Sequence, residues 1–116
     1  MCGIIGISSN KSVSANIINS LKKLEYRGYD SAGVATLFGG EINEVKSEGR
    51  VDNLEQNFDL KSLKGNIGIG HVRWATHGIP NSINAHPHSS DNVSVVHNGI
   101  IENSTILKKH LINKGH

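Results

Sequence analysis

The sequence predicts a single domain in which helices and strands are mixed, because strand and helix patterns are interleaved along 116 residues without an internal repeat. Three observations support this prediction. A β-branched apolar run opens the chain at residues 3–8, paired glycines separate two predicted strands at Gly39-Gly40, and apolar residues recur at helical spacing in three places. The predicted order is β-α-β-β-α-β-β-α.

The first strand is predicted over residues 3–8, since a short continuous apolar run is typical of a buried strand. A helix is predicted next, from apolar side chains at helical spacing: Ile17, Ile18, Leu21 and Leu24. Ser12 or Ser14 is expected to cap the start of this helix, and Gly28 is expected to end it.

A β-hairpin is predicted from residues 32–38 and 41–46, because Gly39-Gly40 can supply the positive φ angles that a tight turn requires. Residues 51–58 predict a short helix. Residues 67–73 predict a strand along which four larger side chains alternate with small ones: Ile67, Ile69, His71 and Arg73. The polar end of this strand, with His71 and Arg73, would lie next to the segment that follows it.

The segment 74–92 has no apolar periodicity, and loops of that length in compact domains are usually functional or disordered. Residues 93–97 predict another strand. The last helix is expected to begin at Asn103 or Ser104 and to stop at Gly115. Its apolar side chains are expected to face inward: Ile106, Leu107 and Leu111.

The composition excludes several classes of function. Twelve basic and ten acidic residues give a net charge of +2, and no basic stripe or aromatic platform indicates nucleic-acid binding. The single cysteine excludes an intrachain disulfide and fits a reducing compartment. No apolar run approaches the roughly 18 residues of a membrane span, and no secretory signal opens the chain. We therefore expect a soluble, cytoplasmic protein without nucleic-acid or membrane partners.

Cys2, which directly follows Met1, is a candidate nucleophile. If Met1 is removed, the thiol and a free α-amine occupy the same residue. The amine can then accept the proton of the thiol, as in other N-terminal nucleophiles. The alternative is a small, inert hydrophobic side chain in the core, which is the usual role of a lone cysteine.

The start of the long loop is rich in polar groups that suit a carboxylate ligand. The planar guanidinium of Arg73 matches a carboxylate, and Thr76 and nearby backbone amides can add hydrogen bonds. This pattern predicts a site for a small-molecule carboxylate. In the alternative, Arg73 pairs with a structural acid and Trp74 belongs to the core.

Asn98-Gly99 lies between two apolar β-branched runs, which is the strongest short-range pattern for a tight hairpin turn. The functional alternative is an oxyanion hole. In that role the Asn98 carboxamide and the Gly99 N–H would both donate to a tetrahedral oxyanion. A rigid turn can also serve as the mount for such donors.

Seven histidines raise the possibility of a metal site formed by three of a set of five: His71, His77, His86, His88 and His97. However, no spacing matches a known zinc pattern, and no carboxylate lies between residues 60 and 90. Pro87 is also expected to point the side chains of its two histidine neighbours apart. We therefore expect neither a metal nor a cofactor.

Four blocks of sequence occur in order along almost the whole chain: Met1-Cys2-Gly3-Ile4-Ile5-Gly6, Leu24-Glu25-Tyr26-Arg27-Gly28-Tyr29-Asp30-Ser31-Ala32-Gly33, His71-Val72-Arg73-Trp74-Ala75-Thr76-His77-Gly78 and His97-Asn98-Gly99-Ile100-Ile101-Glu102-Asn103. Together they resemble the class II glutamine amidotransferase domain. The residues of the middle two blocks, together with Asn84-Ala85-His86-Pro87-His88, are most similar to the branch of this family that aminates fructose 6-phosphate.

This resemblance implies an α+β fold, that of the N-terminal-nucleophile hydrolases, which is an αββα sandwich of two antiparallel sheets. It implies that Cys2 is the nucleophile, with its own amine as base, and that Asn98 and Gly99 form the oxyanion hole. It also implies that Arg73, Thr76 and the His77 backbone hold the α-carboxylate of glutamine. Trp74 would belong to a mobile loop that closes over the substrate. Arg27 and Gly28 would form a turn beside the nucleophile.

The implied reaction is glutamine hydrolysis through a thioester on Cys2, with the ammonia passing to fructose 6-phosphate. In the family the domain continues through an acidic stretch whose Asp receives the α-amino group. We therefore expect residues 1–116 to be the N-terminal portion of a glutaminase domain, with an incomplete fold and little activity alone. Fructose 6-phosphate and homo-oligomer contacts would belong to the absent region. The alternative is a non-catalytic remnant that binds glutamine or a partner.

Overall fold

The computed structural model describes residues 1–116, and its elements follow the predicted order with one added strand. The elements are β1 (Gly3–Ser8), α1 (Ser14–Leu24), β2 (Ser31–Phe38), β3 (Glu41–Glu48), α2 (Val51–Asn57), β4 (Ile67–Arg73), β5 (His88–Ser90), β6 (Val93–Val95) and α3 (Ser104–Asn113). Short 3₁₀ turns follow α1 at Glu25–Arg27 and α2 at Leu60–Ser62. The added strand, β5, lies in the segment that the sequence predicts to be a loop.

Four strands form one antiparallel sheet in the order β1-β4-β2-β3, and β5 pairs with β6 in a separate two-stranded sheet. The predicted hairpin is confirmed, because β2 and β3 are joined through Gly39 and Gly40, whose φ angles are 60° and 78°. Strand β4 lies between β1 and β2. This register places His71 opposite Ile4 on one side and Gly33 on the other.

Helices α1 and α2 cover one face of the four-stranded sheet and form the core with it. The core cluster consists of ten buried residues: Val13, Ile17, Ile18, Leu21, Ala32, Val34, Val51, Leu54, Leu63 and Val72. Gly68 and Gly70 face α1. A Cβ at either position would meet the side chain of Ile17 at 2.6 Å, so these two glycines let α1 approach the sheet closely.

The opposite face of the sheet carries the polar end of β4. His71 and Arg73 point to this side, and the segment around His86 covers them, since a Cβ on Gly33 would lie 2.1 Å from the His86 carbonyl oxygen. At the other end of the same face Ile67 remains exposed. The predicted alternation along β4 is therefore correct, but the glycines, not the isoleucines, face the helices.

The predicted start of α1 is wrong. The N-cap of α1 is the fully buried Val13, without any side-chain cap hydrogen bond, so neither Ser12 nor Ser14 caps it. Burial of Val13 under the sheet decides this boundary instead of local capping. Gly28 ends the 3₁₀ turn that extends α1, as expected, but its φ of 177° is ordinary extended backbone.

The predicted burial of the last helix is also wrong. Every residue of α3 is exposed, including the three that were expected to face inward. The pattern describes an amphipathic helix correctly, but no part of these 116 residues packs against its apolar side. Gly115 follows the helix with a φ of 91°, as its predicted role requires.

The α+β class with antiparallel sheets is confirmed, and the predicted incompleteness is visible in the layers. One helical layer and one four-stranded sheet are well formed. The second sheet has only two strands of three residues each, and α3 lies exposed. None of the helices is both long enough and apolar enough to span a lipid bilayer.

Candidate active site

Most of the predicted site residues line one cavity of about 710 Å³ at the polar end of β4. This volume lies within the range of about 300–1,000 Å³ that is usual for small-molecule sites. The cavity is lined by seven of the predicted residues: Cys2, Arg73, Trp74, Thr76, His77, Asn98 and Gly99. Of the predicted set, Arg27 and Gly28 do not line it. The chain thus brings together residues that are up to 97 positions apart, counting from Cys2 to Gly99.

Cys2 lies at the cavity wall, partly buried, immediately before β1. The Trp74 N–H donates a hydrogen bond to the Cys2 sulfur at 3.2 Å, and the sulfur lies 3.6 Å from the Trp74 carbonyl oxygen. Cys2 is absent from the core cluster. The interpretation of this cysteine as an inert core residue is therefore wrong.

Asn98 connects the Cys2 backbone with the sheet. Its Nδ2 donates to the Cys2 carbonyl oxygen at 3.1 Å, and its Oδ1 lies 2.9 Å from Nε2 of His71. Gly99 follows with a φ of 125°, a conformation that favours glycine. Its N–H donates to no acceptor within the protein. Both predicted oxyanion donors therefore lie at the cavity wall beside Cys2.

The hairpin interpretation of Asn98-Gly99 is wrong. Strand β6 ends at Val95, and no strand follows the Asn-Gly pair to complete a hairpin. The long-range bonds of Asn98 to Cys2 and His71 hold this segment in an irregular conformation instead.

Arg73 is buried and uses its guanidinium to organise the loop that follows it. Its Nη2 donates to the carbonyl oxygens of His77 and, at 3.5 Å, of Gly78, while its Nη1 donates to that of Ile79 at 3.3 Å. Arg73 forms no ion pair with an acidic side chain, so the alternative of a structural salt bridge is wrong. The positive charge of Arg73 thus lies in the cavity wall, and the carbonyl oxygens of residues 77–79 surround it.

The other loop residues are exposed around the mouth of the cavity. Trp74 is half exposed and meets the Tyr29 ring edge-on, with 6.1 Å between ring centroids, so it is not a core residue. Thr76 and His77 are exposed, and Nδ1 of His77 lies 3.3 Å from the Thr76 hydroxyl. This rim provides a hydroxyl, an imidazole and an indole for contact with a ligand.

Arg27 and Gly28 lie behind the cavity wall. Arg27 contacts Met1, with Nη1 3.7 Å from the Met1 sulfur. Gly28 is buried directly against the Arg73–Trp74 peptide bond, and a Cβ on Gly28 would lie 2.4 to 2.6 Å from its atoms. Gly28 thus packs against the peptide group whose N–H points at the Cys2 sulfur. This place fits the expected turn beside the nucleophile, without direct contact with the cavity.

Two further residues hold the site together, and neither is among the predicted site residues. Asp30 accepts a hydrogen bond from the Ala75 N–H, and its own N–H donates to the Arg73 carbonyl oxygen at 3.2 Å. Asp30 therefore anchors the start of the loop. His71 contacts Asn98, as described above. The sequence signal for both is their occurrence inside the second and third family-like blocks.

Three histidine rings form a cluster at the cavity, and one of them, His86, lines it. The rings of His71 and His86 lie 4.4 Å apart and nearly parallel, and the His88 ring meets that of His86 at 4.4 Å. The expectation that Pro87 points its neighbours apart is wrong, since the rings of His86 and His88 meet edge-on. No group of three or more histidine, cysteine, aspartate or glutamate side chains in the chain is arranged to hold a metal ion.

The three histidines of this cluster are neutral. Burial lowers the pKa of His71, and the nearby Arg73 charge acts in the same direction. Burial, followed by the neighbouring His71, lowers the pKa of His86 to about 4. Burial and then Lys46 lower the pKa of His88. At neutral pH each of these rings therefore carries a single N–H.

No acidic side chain lines the cavity. Glu102, the nearest acid in sequence to Asn98-Gly99, is exposed and does not reach it. Arg73 contributes a positive charge to the cavity, which suits an anionic group of a ligand. A ligand ammonium finds no carboxylate partner among the residues that line the cavity.

Comparison with known proteins gives relatives over the whole chain, although no family model matches it. The chain is similar to glutamine–fructose-6-phosphate aminotransferase (isomerizing) of Clostridium acetobutylicum, with 58% identity over 118 aligned residues that cover 100% of this chain and 19% of the relative. The same enzyme of Mesorhizobium japonicum is 55% identical over 116 residues, again 100% of this chain and 19% of the relative. The chain thus spans about a fifth of the length of these relatives.

Solved structures with the same fold come from a second group of amidotransferases. Glutamine phosphoribosylpyrophosphate amidotransferase from B. subtilis, complexed with ADP and GMP, matches 100% of this chain and 26% of its own with a TM-score of 0.82 and 30% identity. A structure described as the allosteric regulatory enzyme of purine biosynthesis gives a TM-score of 0.84 and 31% identity over the same shares. By sequence and by fold, the chain belongs with the class II glutamine amidotransferases, the family of enzymes that its four sequence blocks resemble.

Proposed function

We propose that this chain is the N-terminal portion of a glutaminase domain that hydrolyses L-glutamine through a γ-glutamyl thioester on Cys2. The observation that supports this most is the meeting of three groups at one cavity: the Cys2 sulfur, the donors of Asn98-Gly99, and the Arg73 guanidinium. These are a nucleophile, a candidate oxyanion hole and a positive charge for a carboxylate.

In the proposed first step, the Cys2 sulfur attacks the side-chain carbonyl carbon of glutamine. Removal of Met1 would free the Cys2 α-amine, which accepts the thiol proton. The carbonyl oxygen becomes an oxyanion, and the Asn98 carboxamide and Gly99 N–H would donate to it. The Trp74 N–H, 3.2 Å from the sulfur, would stabilise negative charge on that atom before the attack.

In the proposed second step, the carbon–nitrogen bond of the tetrahedral intermediate breaks and the protonated α-amine returns its proton to the leaving nitrogen. Ammonia and the thioester result. Water then attacks the thioester, the carbon–sulfur bond breaks, and glutamate leaves with Cys2 restored. No metal or cofactor enters either step.

Glutamine would be held by its α-carboxylate at the Arg73 end of the cavity. Arg73 has five N–H donors, and three contacts to loop carbonyls leave donors for a ligand. Thr76 and the His77 backbone at the rim would add hydrogen bonds. A carboxylate from outside these 116 residues would receive the α-ammonium.

The wider proposal follows the printed names of the relatives. The ammonia would pass to fructose 6-phosphate, bound by domains outside these residues, to give glucosamine 6-phosphate in hexosamine biosynthesis. Contacts that form a homo-oligomer would also lie outside them. We place this reaction in the cytoplasm, since a nucleophilic thiol has to stay reduced.

The test uses a full-length enzyme in which this chain replaces the matching segment of the Clostridium acetobutylicum relative, here called the hybrid enzyme. We expect the hybrid enzyme to hydrolyse glutamine, and mass spectrometry to show Cys2 as its first residue. Cys2→Ala should abolish hydrolysis while the thermal unfolding midpoint stays unchanged. An uncleavable extension before Cys2 should be nearly as damaging, because it removes the free amine.

Glutaminase activity of Cys2→Ala within tenfold of the parent hybrid enzyme would contradict the proposal. Full activity of the extended protein would mean that the base is another group. The unmodified relative is the control for the assay.

A second candidate, a non-catalytic module that binds glutamine or a partner, is favoured by one observation: the cavity lacks an acidic side chain. The hybrid enzyme separates the two candidates. A hybrid enzyme that is folded and binds glutamine by calorimetry, yet releases no glutamate, would establish the binding module and reject the glutaminase.

A further inference from the structure

We infer that His71 is a positioning residue for the proposed reaction: it holds the Asn98 carboxamide in the single orientation that leaves an N–H group available to the cavity. This inference rests on the proposed function, because it concerns the group that would stabilise the oxyanion. His71 itself does not line the cavity.

The two ends of the Asn98 carboxamide have different partners. One end lies 3.1 Å from the Cys2 carbonyl oxygen, which can only accept a hydrogen bond, so that end must be the Nδ2 amide. The other end lies 2.9 Å from Nε2 of His71 and must be Oδ1. If the carboxamide were reversed, two oxygens would face each other at Cys2.

Nδ2 carries two hydrogens. The Cys2 carbonyl accepts one, and no other protein acceptor takes the second. The second N–H is therefore free to donate at the cavity wall that Asn98 forms with Gly99. Loss of the His71 bond would let the carboxamide rotate about its last torsion, which is broad and roughly two-fold in asparagine.

The protonation state of His71 fits this role. Its Nε2 faces two oxygens, Asn98 Oδ1 at 2.9 Å and the His97 carbonyl at 3.2 Å, so Nε2 carries the proton of the neutral ring. Its Nδ1 is buried without a hydrogen-bond partner in the protein. Burial also lowers the pKa of His71, which keeps the ring neutral.

The imidazole of His71 is rigidly placed. It is fully buried on the central strand β4, between Ile4 of β1 and Gly33 of β2. The His86 ring stacks on it at 4.4 Å and 22° from parallel. The irregular segment at 97–98 is thereby tied to a strand that is paired on both sides. A donor that has to be in place before substrate arrives requires such a fixed support.

The first experiment compares His71→Phe and His71→Gln in the hybrid enzyme. His71→Phe keeps a ring against His86 but removes the donor. We expect kcat for glutamine to fall about tenfold to a hundredfold, less than the 10²–10³-fold typical for deleting an oxyanion donor. KM should stay unchanged, because the carboxylate clamp is untouched. His71→Gln carries a donor nitrogen of similar reach and should restore most of the lost kcat.

A double-mutant cycle distinguishes positioning from a merely structural role. If His71 acts through Asn98, then His71→Phe should have no further effect on kcat in an Asn98→Ala background. His110→Leu, at an exposed histidine on α3, is the matched control and should leave kcat unchanged. If His71→Phe does not fold, the smaller His71→Leu takes its place in the same cycle.

A crystallographic measurement is independent of activity. Crystal structures of the hybrid enzyme and of its His71→Phe variant should show that the Asn98 carboxamide rotates or loses its bond to the Cys2 carbonyl oxygen when the histidine donor is removed. An unchanged carboxamide in the variant would overturn the inference, whether or not the parent hydrolyses glutamine. Equal fold-losses from His71→Phe with and without Asn98 would overturn it as well. An inactive parent hybrid enzyme with a rotated carboxamide in the variant would reject the proposed function and leave the positioning role supported.

Discussion

Arg73 combines two tasks in one side chain. Its guanidinium holds the carbonyl oxygens of residues 77–79 around itself, and it supplies the positive charge of the cavity. A glutamine carboxylate would therefore bind to an arginine that already has partners. The affinity for substrate and the conformation of the loop are expected to change together when this side chain is altered.

In the hybrid enzyme we expect Arg73→Ala to raise KM for glutamine roughly ten- to a hundredfold, which corresponds to the 1.5–3 kcal/mol of a hydrogen bond to a charged group. The effect on kcat should be small, because the carboxylate keeps its charge throughout the reaction. Steady-state kinetics measures both. Arg73→Lys retains the charge without the planar fork and should give an intermediate KM.

A collapse of kcat with unchanged KM in Arg73→Ala would show that the guanidinium acts at the reacting centre. It would contradict the role of a carboxylate clamp.

At the level of elements, the contact between the turn after α1 and the end of β4 determines where the Trp74 N–H points. Gly28 packs against the Arg73–Trp74 peptide, and Asp30 binds both the carbonyl oxygen of that peptide and the N–H of Ala75, in the next peptide. The turn and the strand end therefore behave as one rigid mount beside the Cys2 sulfur.

We expect Gly28→Ala to displace this peptide, because its new methyl group would lie within 2.6 Å of backbone atoms that have no room to move. Overpacking of this kind typically costs about 1–3 kcal/mol of folding free energy. Since the Trp74 N–H would move away from the sulfur, kcat should fall as well. Urea unfolding and glutaminase kinetics of the hybrid enzyme measure the two effects.

Gly6→Ala is the matched control, because the added methyl would meet only Ile69, at 4.0 Å. Wild-type stability and activity are expected for that variant. If Gly28→Ala were equally silent, the proposed mount would be wrong.

The sequence predicts elements well where local chemistry determines them. Gly39-Gly40 forms its hairpin because the turn needs only its own positive φ angles. Asn98-Gly99 carries an equally strong local pattern, yet bonds to Cys2 and His71, which are distant in sequence, override it. Periodicity cannot reveal such bonds, and the resemblance to a family gives the residues of the site without the contacts that orient them.

For the molecule as a whole, many large apolar side chains are exposed. Side chains of α3 are exposed, among them Ile106 at 72%, and so is the outer face of the sheet at Ile67. Exposed apolar side chains of this size favour association with other chains when they lie side by side, as they do along one helix. The predicted helix pattern was correct, but these 116 residues hold nothing that covers it.

We expect the 116-residue chain, purified alone, to self-associate in a concentration-dependent manner and to hydrolyse glutamine negligibly. Light scattering after gel filtration should give a mass above the 12.5 kDa of one chain. The activity is low because no carboxylate lines the cavity. A missing charge-assisted bond to the substrate ammonium costs about 1.5–3 kcal/mol, roughly ten- to a hundredfold in binding.

Ile106→Lys should reduce this self-association, because it places a charge in the exposed apolar side of α3. A monomeric, cooperatively folded chain as active as the hybrid enzyme would show that no further carboxylate is needed.

Neighbouring positions of β4 serve opposite sides of the sheet. Gly70 and Val72 face α1 and the core, whereas His71 and Arg73 lie on the opposite side, where His71 contacts Asn98 and Arg73 lines the cavity. Under the proposed function, we expect adjacent codons of one gene to be under different selective pressures. Substitutions at 70 or 72 would be limited by the amount of folded protein that a cell retains, and substitutions at 71 or 73 by the rate at which each folded molecule turns over its substrate.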